Sequence, residues 1–128
     1  MRNLSMETKH ILIIDDDADI REATQLCLEL TGHWDVWKAS NGPEGIEIAQ
    51  SKVPDVILLD MMMPGMDGLA ILQRLQDNPK TQQIPIIILT AKAQSHEQAY
   101  FGQLKVLSVI TKPYDPMTIS DQIFSALA

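Results

Sequence analysis

The chain has 128 residues, one cysteine and a formal net charge of −7. That length suits a single domain, and the acidic balance argues against nucleic acid as a direct partner, because phosphate binding needs a basic face. No apolar run approaches the roughly 18–20 residues of a membrane span, so no membrane partner is expected. Residues 1–8 are polar, carry no signal-peptide pattern and read as a short tail ahead of a domain over residues 9–128, with the cytoplasm as the default location. Apolar residues make up 45 % and aromatics only 5 %, so the core must be built from Ile, Leu, Val, Met and Ala.

His10–Ile14 reads as an apolar strand running into Asp15-Asp16-Asp17. Asp19 to Leu30 sets Ile20, Ala23, Cys27 and Leu30 on one helical stripe, capped by Asp17 or Asp19 and stopped by Gly32. Cys27 has no partner for an internal disulfide, and its place on that stripe predicts a buried thiol. Asp35–Ala39 is a short second strand, with Trp34 and Trp37 as edge packing. Pro43 to Ser51 is a second helix with proline in its first turn. Val56–Leu59 is an all-apolar strand that ends in Asp60. Leu69–Gln76 is a third helix closed by Asn78-Pro79, and Ile86–Leu89 a fourth strand ending in Thr90. Ser95–Leu104 is read as a fourth helix, Val106–Ile110 as a fifth strand ending near Lys112-Pro113, and Met117–Leu127 as the final helix.

Five strands alternating with five helices imply an α/β protein whose parallel sheet is covered on both faces. Right-handed crossovers then give a doubly wound sheet, and the flavodoxin-like order 2-1-3-4-5 suits five strands of this length. Ligands in such a sheet bind outside the carboxyl ends of the strands where the order reverses, beyond the first and third strands. Asp15, Asp16 and Asp60 lie there, joined by Thr90 from the fourth strand and Lys112 from the fifth. Crowded carboxylates repel unless a cation intervenes. Oxygen donors with no His or Cys among them suit Mg2+ or Mn2+. Such an ion needs only one or two of the acids, which leaves Asp60 able to attack phosphorus. Lys112 can pair with Asp60 and then with phosphoryl oxygens, Thr90 can donate to one of those oxygens, and small Ala91 leaves the approach open. Met61-Met62-Met63 reads as loop packing rather than a copper-thioether site, and His10, His33 and His96 show no ligand spacing.

The strings Ile13-Ile14-Asp15-Asp16-Asp17, Leu58-Leu59-Asp60-Met61-Met62-Met63-Pro64, Met66-Asp67-Gly68, Leu89-Thr90-Ala91 and Thr111-Lys112-Pro113-Tyr114 resemble, in order and spacing, the signatures of the receiver domains of two-component response regulators. The resemblance covers about residues 9–127. It implies that Asp60 is the phosphoacceptor, that Asp16 and Asp60 ligate Mg2+ directly with Asp15 acting through water, and that the backbone carbonyl of Met62 completes the protein ligands. It implies that Lys112 is the family's lysine, followed by a cis peptide to Pro113, and that Thr90 is the switch hydroxyl. The phosphoryl group would come from a histidine kinase or a phosphotransfer domain, and the output would be a changed face for a downstream protein. The face of the predicted fourth helix, fifth strand and final helix is the expected surface for any homodimer. The chain stops about where its final helix would end, which favours a stand-alone receiver over one cut from a longer protein.

Two features depart from the family pattern. Many receivers carry an aromatic residue three before the lysine, where Val109 stands here, so either Val109 repacks as a smaller switch or Tyr100, Phe101 or Tyr114 reports the state. Met62 and Lys92 occupy the family's variable positions beside the site, and their size predicts hindered water attack and a long-lived phosphoryl group; a half-life of seconds at neutral pH would refute this. A phosphohydrolase of the haloacid dehalogenase type would need an acid where Met62 stands. A flavin carrier would need a phosphate cradle where Asp15-Asp16-Asp17 repels phosphate. A receiver-like fold kept only for binding is disfavoured by the complete set of acids and lysine, although Val109 leaves it some room.

Overall fold

The structure is a computed structural model that describes residues 9–63, 67–91 and 105–128. Strands β1 (His10–Ile14), β2 (Asp35–Ala39), β3 (Val56–Asp60), β4 (Ile86–Thr90) and β5 (Ser108–Thr111) form one sheet in the order β2-β1-β3-β4-β5. Every pairing is parallel. The described helices are α1 (Ala18–Gly32), α2 (Gly42–Lys52) and α3 (Gly68–Asp77), which are crossovers between strands, and α4 (Pro116–Leu127), which follows the last strand. The predicted helix over Ser95–Leu104, with His96, Tyr100 and Phe101, lies outside the described residues, as do Lys92, residues 64–66 and the tail over 1–8.

The three central strands read as continuous apolar runs because both their faces are covered. Leu12, Ile14, Ile57, Leu59, Ile86 and Ile88 point into one core with Ala49 of α2 and Ile71, Leu72 and Leu75 of α3. The alternate residues Ile11, Ile13, Leu58, Ile87 and Leu89 point into the other, with Leu28 of α1 and Ile119 and Ile123 of α4. A strand's period of two therefore divides one apolar run between two cores. The register pairs Ile14 with both Ala39 and Leu59 and pairs Asp60 with Leu89, which brings the carboxyl ends of β1 and β3 level. Each described helix starts on a side-chain cap: Asp17, Asn41, Asp67 and Asp115 accept backbone N–H groups of the first turn.

Several boundaries differ from the sequence reading. The last strand is Ser108–Thr111 rather than Val106–Ile110. Val106 packs against a core without joining the ladder, while the Leu107 N–H donates to the Ile86 carbonyl at 2.8 Å. On α1 the buried positions are Thr24 and Leu28, while Ala23 and Leu30 are exposed. The stripe is rotated because a threonine whose hydroxyl has a buried partner can face inward. Cys27 is only partly buried, with its Sγ 3.7 Å from the Met117 Sδ. Gly32 is the last helical residue, and His33 takes the left-handed position at φ 55°. Glycine is needed at 32 for space, since a Cβ there would collide with Ser120 Oγ and the Trp34 ring.

The second left-handed residue is Val53, which ends α2 at φ 48° with its N–H on the Ala49 carbonyl. A β-branched side chain is strained in this region. Val53 is 53 % exposed, so little packing holds it there. Val53→Gly is expected to raise stability by about 1 kcal/mol, seen as a higher urea midpoint with an unchanged slope.

Candidate functional site

The site is built where β1 and β3 end side by side. Asp15 and Asp60 are almost wholly buried, at 0 % and 2 % exposure, which is rare for acids unless they are paired. Lys112, carried past the end of β5, supplies the pairing charge. Its Nζ donates to Asp15 Oδ2 at 2.9 Å and to Asp60 Oδ2 at 3.3 Å. Its backbone N–H donates to the Thr90 carbonyl at 2.6 Å, tying the lysine to the end of β4. The other oxygens of the two acids are held by the backbone: Asp15 Oδ1 accepts the Asp17 N–H at 3.0 Å and Asp60 Oδ1 accepts the Met62 N–H at 2.9 Å. The Lys112–Pro113 peptide is cis.

Burial pushes the Asp60 carboxyl above its ordinary range, and the charge of Asp15 adds to the rise; the Met62 N–H and the Lys112 ammonium oppose it without cancelling it. For Lys112, burial alone would favour the neutral amine. The hydrogen bond to Asp15 and the charges of Asp60 and Asp15 outweigh it and hold the ammonium above its usual range. Lys112 is thus a fixed cation at neutral pH between two acids.

Asp16 is exposed at the lip of the site, and Asp15, Asp16 and Asp60 each offer a carboxylate oxygen within 4.8 Å of the others. Three acidic oxygen donors with no nitrogen or sulfur among them form a donor set for a hard divalent cation. Thr90 is buried at the end of β4, level with Thr111. Ala91 is exposed and lines a cavity of about 470 Å³ together with Lys112, Ile20, Ala23, Tyr114 and Pro116. Met62 is 62 % exposed. Val109 sits level with Ile88, partly buried against the core of α2 and α3.

Three residues at the site were given no place in it, or no contact, by the sequence alone. Arg21, in the first turns of α1, donates from Nη1 to the Asp15 carbonyl at 2.7 Å. Thr24, fully buried on α1, shares a 2.7 Å hydrogen bond with the hydroxyl of Tyr114. Burial raises the Tyr114 phenol above its ordinary value. Periodicity cannot reveal these contacts, because they join residues whose spacing carries no motif.

Comparison with known proteins agrees with this geometry. Residues 11–124 match the response regulator receiver domain. The PilH protein of Pseudomonas aeruginosa is 36 % identical over 118 residues, covering 92 % of this chain and 97 % of that protein. The transcriptional regulatory protein CseB of Streptomyces avermitilis is 36 % identical over 121 residues, covering 94 % of this chain but 50 % of that protein. The chain thus spans about half the length of CseB, and likewise 53 % of the phosphate regulon regulator PhoB of P. aeruginosa. The chemotaxis response regulator CheY4 of Vibrio cholerae shares the fold at a TM-score of 0.85 and 24 % identity, over 94 % of this chain and 99 % of that one. The chain belongs to the response regulator receiver family. Its work is that of a receiver in phosphorelay signalling, in a family that interacts with histidine kinases and phosphotransfer partners. No described helix is long and apolar enough to cross a membrane.

Proposed function

We propose that Asp60 is the phosphoacceptor, taking its phosphoryl group from a histidine kinase or phosphotransfer domain. The observation that carries this reading is the buried Asp60 carboxylate, pinned by the Met62 N–H on one oxygen and faced by Lys112 on the other. In the transfer, a carboxylate oxygen of Asp60 forms a bond to phosphorus while the bond from phosphorus to the donor's imidazole nitrogen breaks. The nitrogen keeps the electron pair. Lys112 would pass from the carboxylates to the new phosphoryl oxygens, and the Thr90 hydroxyl would donate to one of them. Asp16 and Asp60 would hold Mg2+ or Mn2+, with Asp15 acting through water and the Met62 carbonyl completing the set. The bound ion offsets the negative charge brought by the phosphoryl group.

On this reading residues 9–128 are a cytoplasmic receiver that catalyses only its own phosphorylation and dephosphorylation. Its output is a changed face for a downstream protein or a second copy. Ala91, Met62 and Lys92 would set phosphoryl lifetime, and Val109 would stand in for the aromatic partner of Thr90. Incubation with Mg2+ and acetyl phosphate should add one phosphoryl group to the intact mass, and chelation of the metal should abolish the gain. No gain in a folded, metal-loaded sample would refute the assignment.

Metal binding has its own readout. At a Mg2+ concentration 100-fold above its dissociation constant, the folded state should gain about 2.7 kcal/mol, measured as a higher melting temperature. Asp16 is exposed, so Asp16→Asn should leave the metal-free melt nearly unchanged and remove most of the Mg2+-dependent rise. An unaltered rise in the variant would count against Asp16 as a ligand.

A further inference from the structure

Two loops must be held in register for the lysine to face the acids. Asp15 and Asp16 open the loop before α1, and Lys112 opens the loop before α4. The ion pair of Lys112 with Asp15 joins these loops at the site itself. A second link lies behind it, where the Tyr114 hydroxyl and the Thr24 hydroxyl meet at 2.7 Å. Tyr114 follows Lys112 by two residues, and Thr24 lies on the inward side of α1, at 0 % exposure. The Tyr114 ring packs against the core that contains Leu28, Ile119 and Ile123. Two hydroxyls in such a setting are costly to leave unpaired, so their bond fixes the separation of α1 from the lysine loop. Among the described residues, no other hydrogen bond joins α1 to the stretch from Lys112 to Asp115.

We infer that Tyr114, through its hydrogen bond to Thr24, is a positioning residue that holds the Lys112 ammonium where a phosphoryl group on Asp60 would need it. The inference rests on Asp60 as phosphoacceptor and deepens that reading. A lysine positioned in this way would contact the phosphoryl group but is no donor to the cation, which Asp16, Asp60 and the Met62 carbonyl would hold with Asp15 acting through water, so a displaced ammonium would not weaken metal binding. The two binding steps therefore separate a positioning role from a general loosening of the fold.

The test compares the parent with Tyr114→Phe, Thr24→Val, the double variant and Thr24→Ser. Three quantities are read: Mg2+ affinity, affinity for beryllofluoride in saturating Mg2+, and the rate of phosphorylation by acetyl phosphate. Loss of one buried hydrogen bond should slow phosphorylation and weaken beryllofluoride binding about three- to tenfold in each single variant. The double variant should be no worse than the singles, Thr24→Ser should keep parental values, and Mg2+ affinity should not fall in any variant. The inference is overturned if Tyr114→Phe stays within about twofold of the parent in both phosphoryl readouts. It is overturned equally if Mg2+ and beryllofluoride affinities fall together, or if the single effects multiply in the double variant. If Tyr114→Phe does not fold, Thr24→Val against Thr24→Ser decides the same question from the other side of the bond. A parent that is never phosphorylated would instead refute the role of Asp60, which keeps the two failures apart.

Discussion

Asp60→Asn is expected to take up no phosphoryl group and yet, without metal, to be more stable than the parent at pH 7. The first effect follows from chemistry, since an amide oxygen does not replace a carboxylate as nucleophile toward phosphorus. The second follows from burial. The Asp60 carboxyl is held above its ordinary range, chiefly because burial disfavours its charge. A group whose folded pKa exceeds its unfolded value binds its proton more tightly when folded. Its favourable contribution is present in full below the unfolded value, near pH 4 for an aspartate, and is lost as pH rises through the folded value. At neutral pH the charge is therefore a burden that the isosteric amide removes, by about 1 kcal/mol or more. Melting curves of both proteins in a chelating buffer should diverge as pH rises from 4 to 7, with the variant above. Curves that diverge in the opposite direction would mean that the Lys112 ion pair outweighs the burial of Asp60.

Removing Lys112 should have the larger cost. Its Nζ stands 2.9 Å from Asp15 and 3.3 Å from Asp60, and its side chain is only 16 % exposed. Lys112→Met would leave two buried carboxylates facing each other with no cation between them. Breaking one partner out of a buried ion cluster typically costs about 3–5 kcal/mol, a large part of the roughly 5–15 kcal/mol that holds a small domain together. Urea unfolding at pH 7 without metal should show that loss. Adding Mg2+ should restore part of it by returning positive charge, and Asp15→Asn in the same background should restore part by removing negative charge. Lowering the pH should narrow the deficit as the acids take up protons. A deficit below about 1 kcal/mol, with no response to Mg2+ or pH, would show that the carboxylates are better solvated than their burial implies.

Much of this was legible in the sequence because the central strands leave no choice. A run such as Ile11-Leu12-Ile13-Ile14 cannot be satisfied on one face, so helices must cover both. Once the sheet order follows, Asp15 and Asp60 must fall on the same edge. Lys112 and Thr90 were legible for the same reason, as ends of strands whose register the sheet sets. The face of α1 was not, because composition alone ranks Ala23 and Leu30 above Thr24 as inward residues. The structure reverses that order through a hydroxyl partner 90 residues away. Arg21 escaped notice because a guanidinium reaching a backbone carbonyl leaves no trace in side-chain pattern. The start of β5 was misjudged because Val106 and Leu107 are as apolar as a strand requires, while the ladder begins only at Ser108.

The pairing of Lys112 with Asp15 bridges 97 residues of sequence, and its pairing with Asp60 bridges 52. Contacts of such long range form only when nearly all the intervening chain has found its place, and a parallel sheet built by crossovers has few local alternatives. A chain that had assembled only its first three strands would bring both acids together with no lysine between them. If Asp60 is the phosphoacceptor served by Lys112, competence to carry a signal is tied to completion of folding, and a half-finished or truncated copy would be silent.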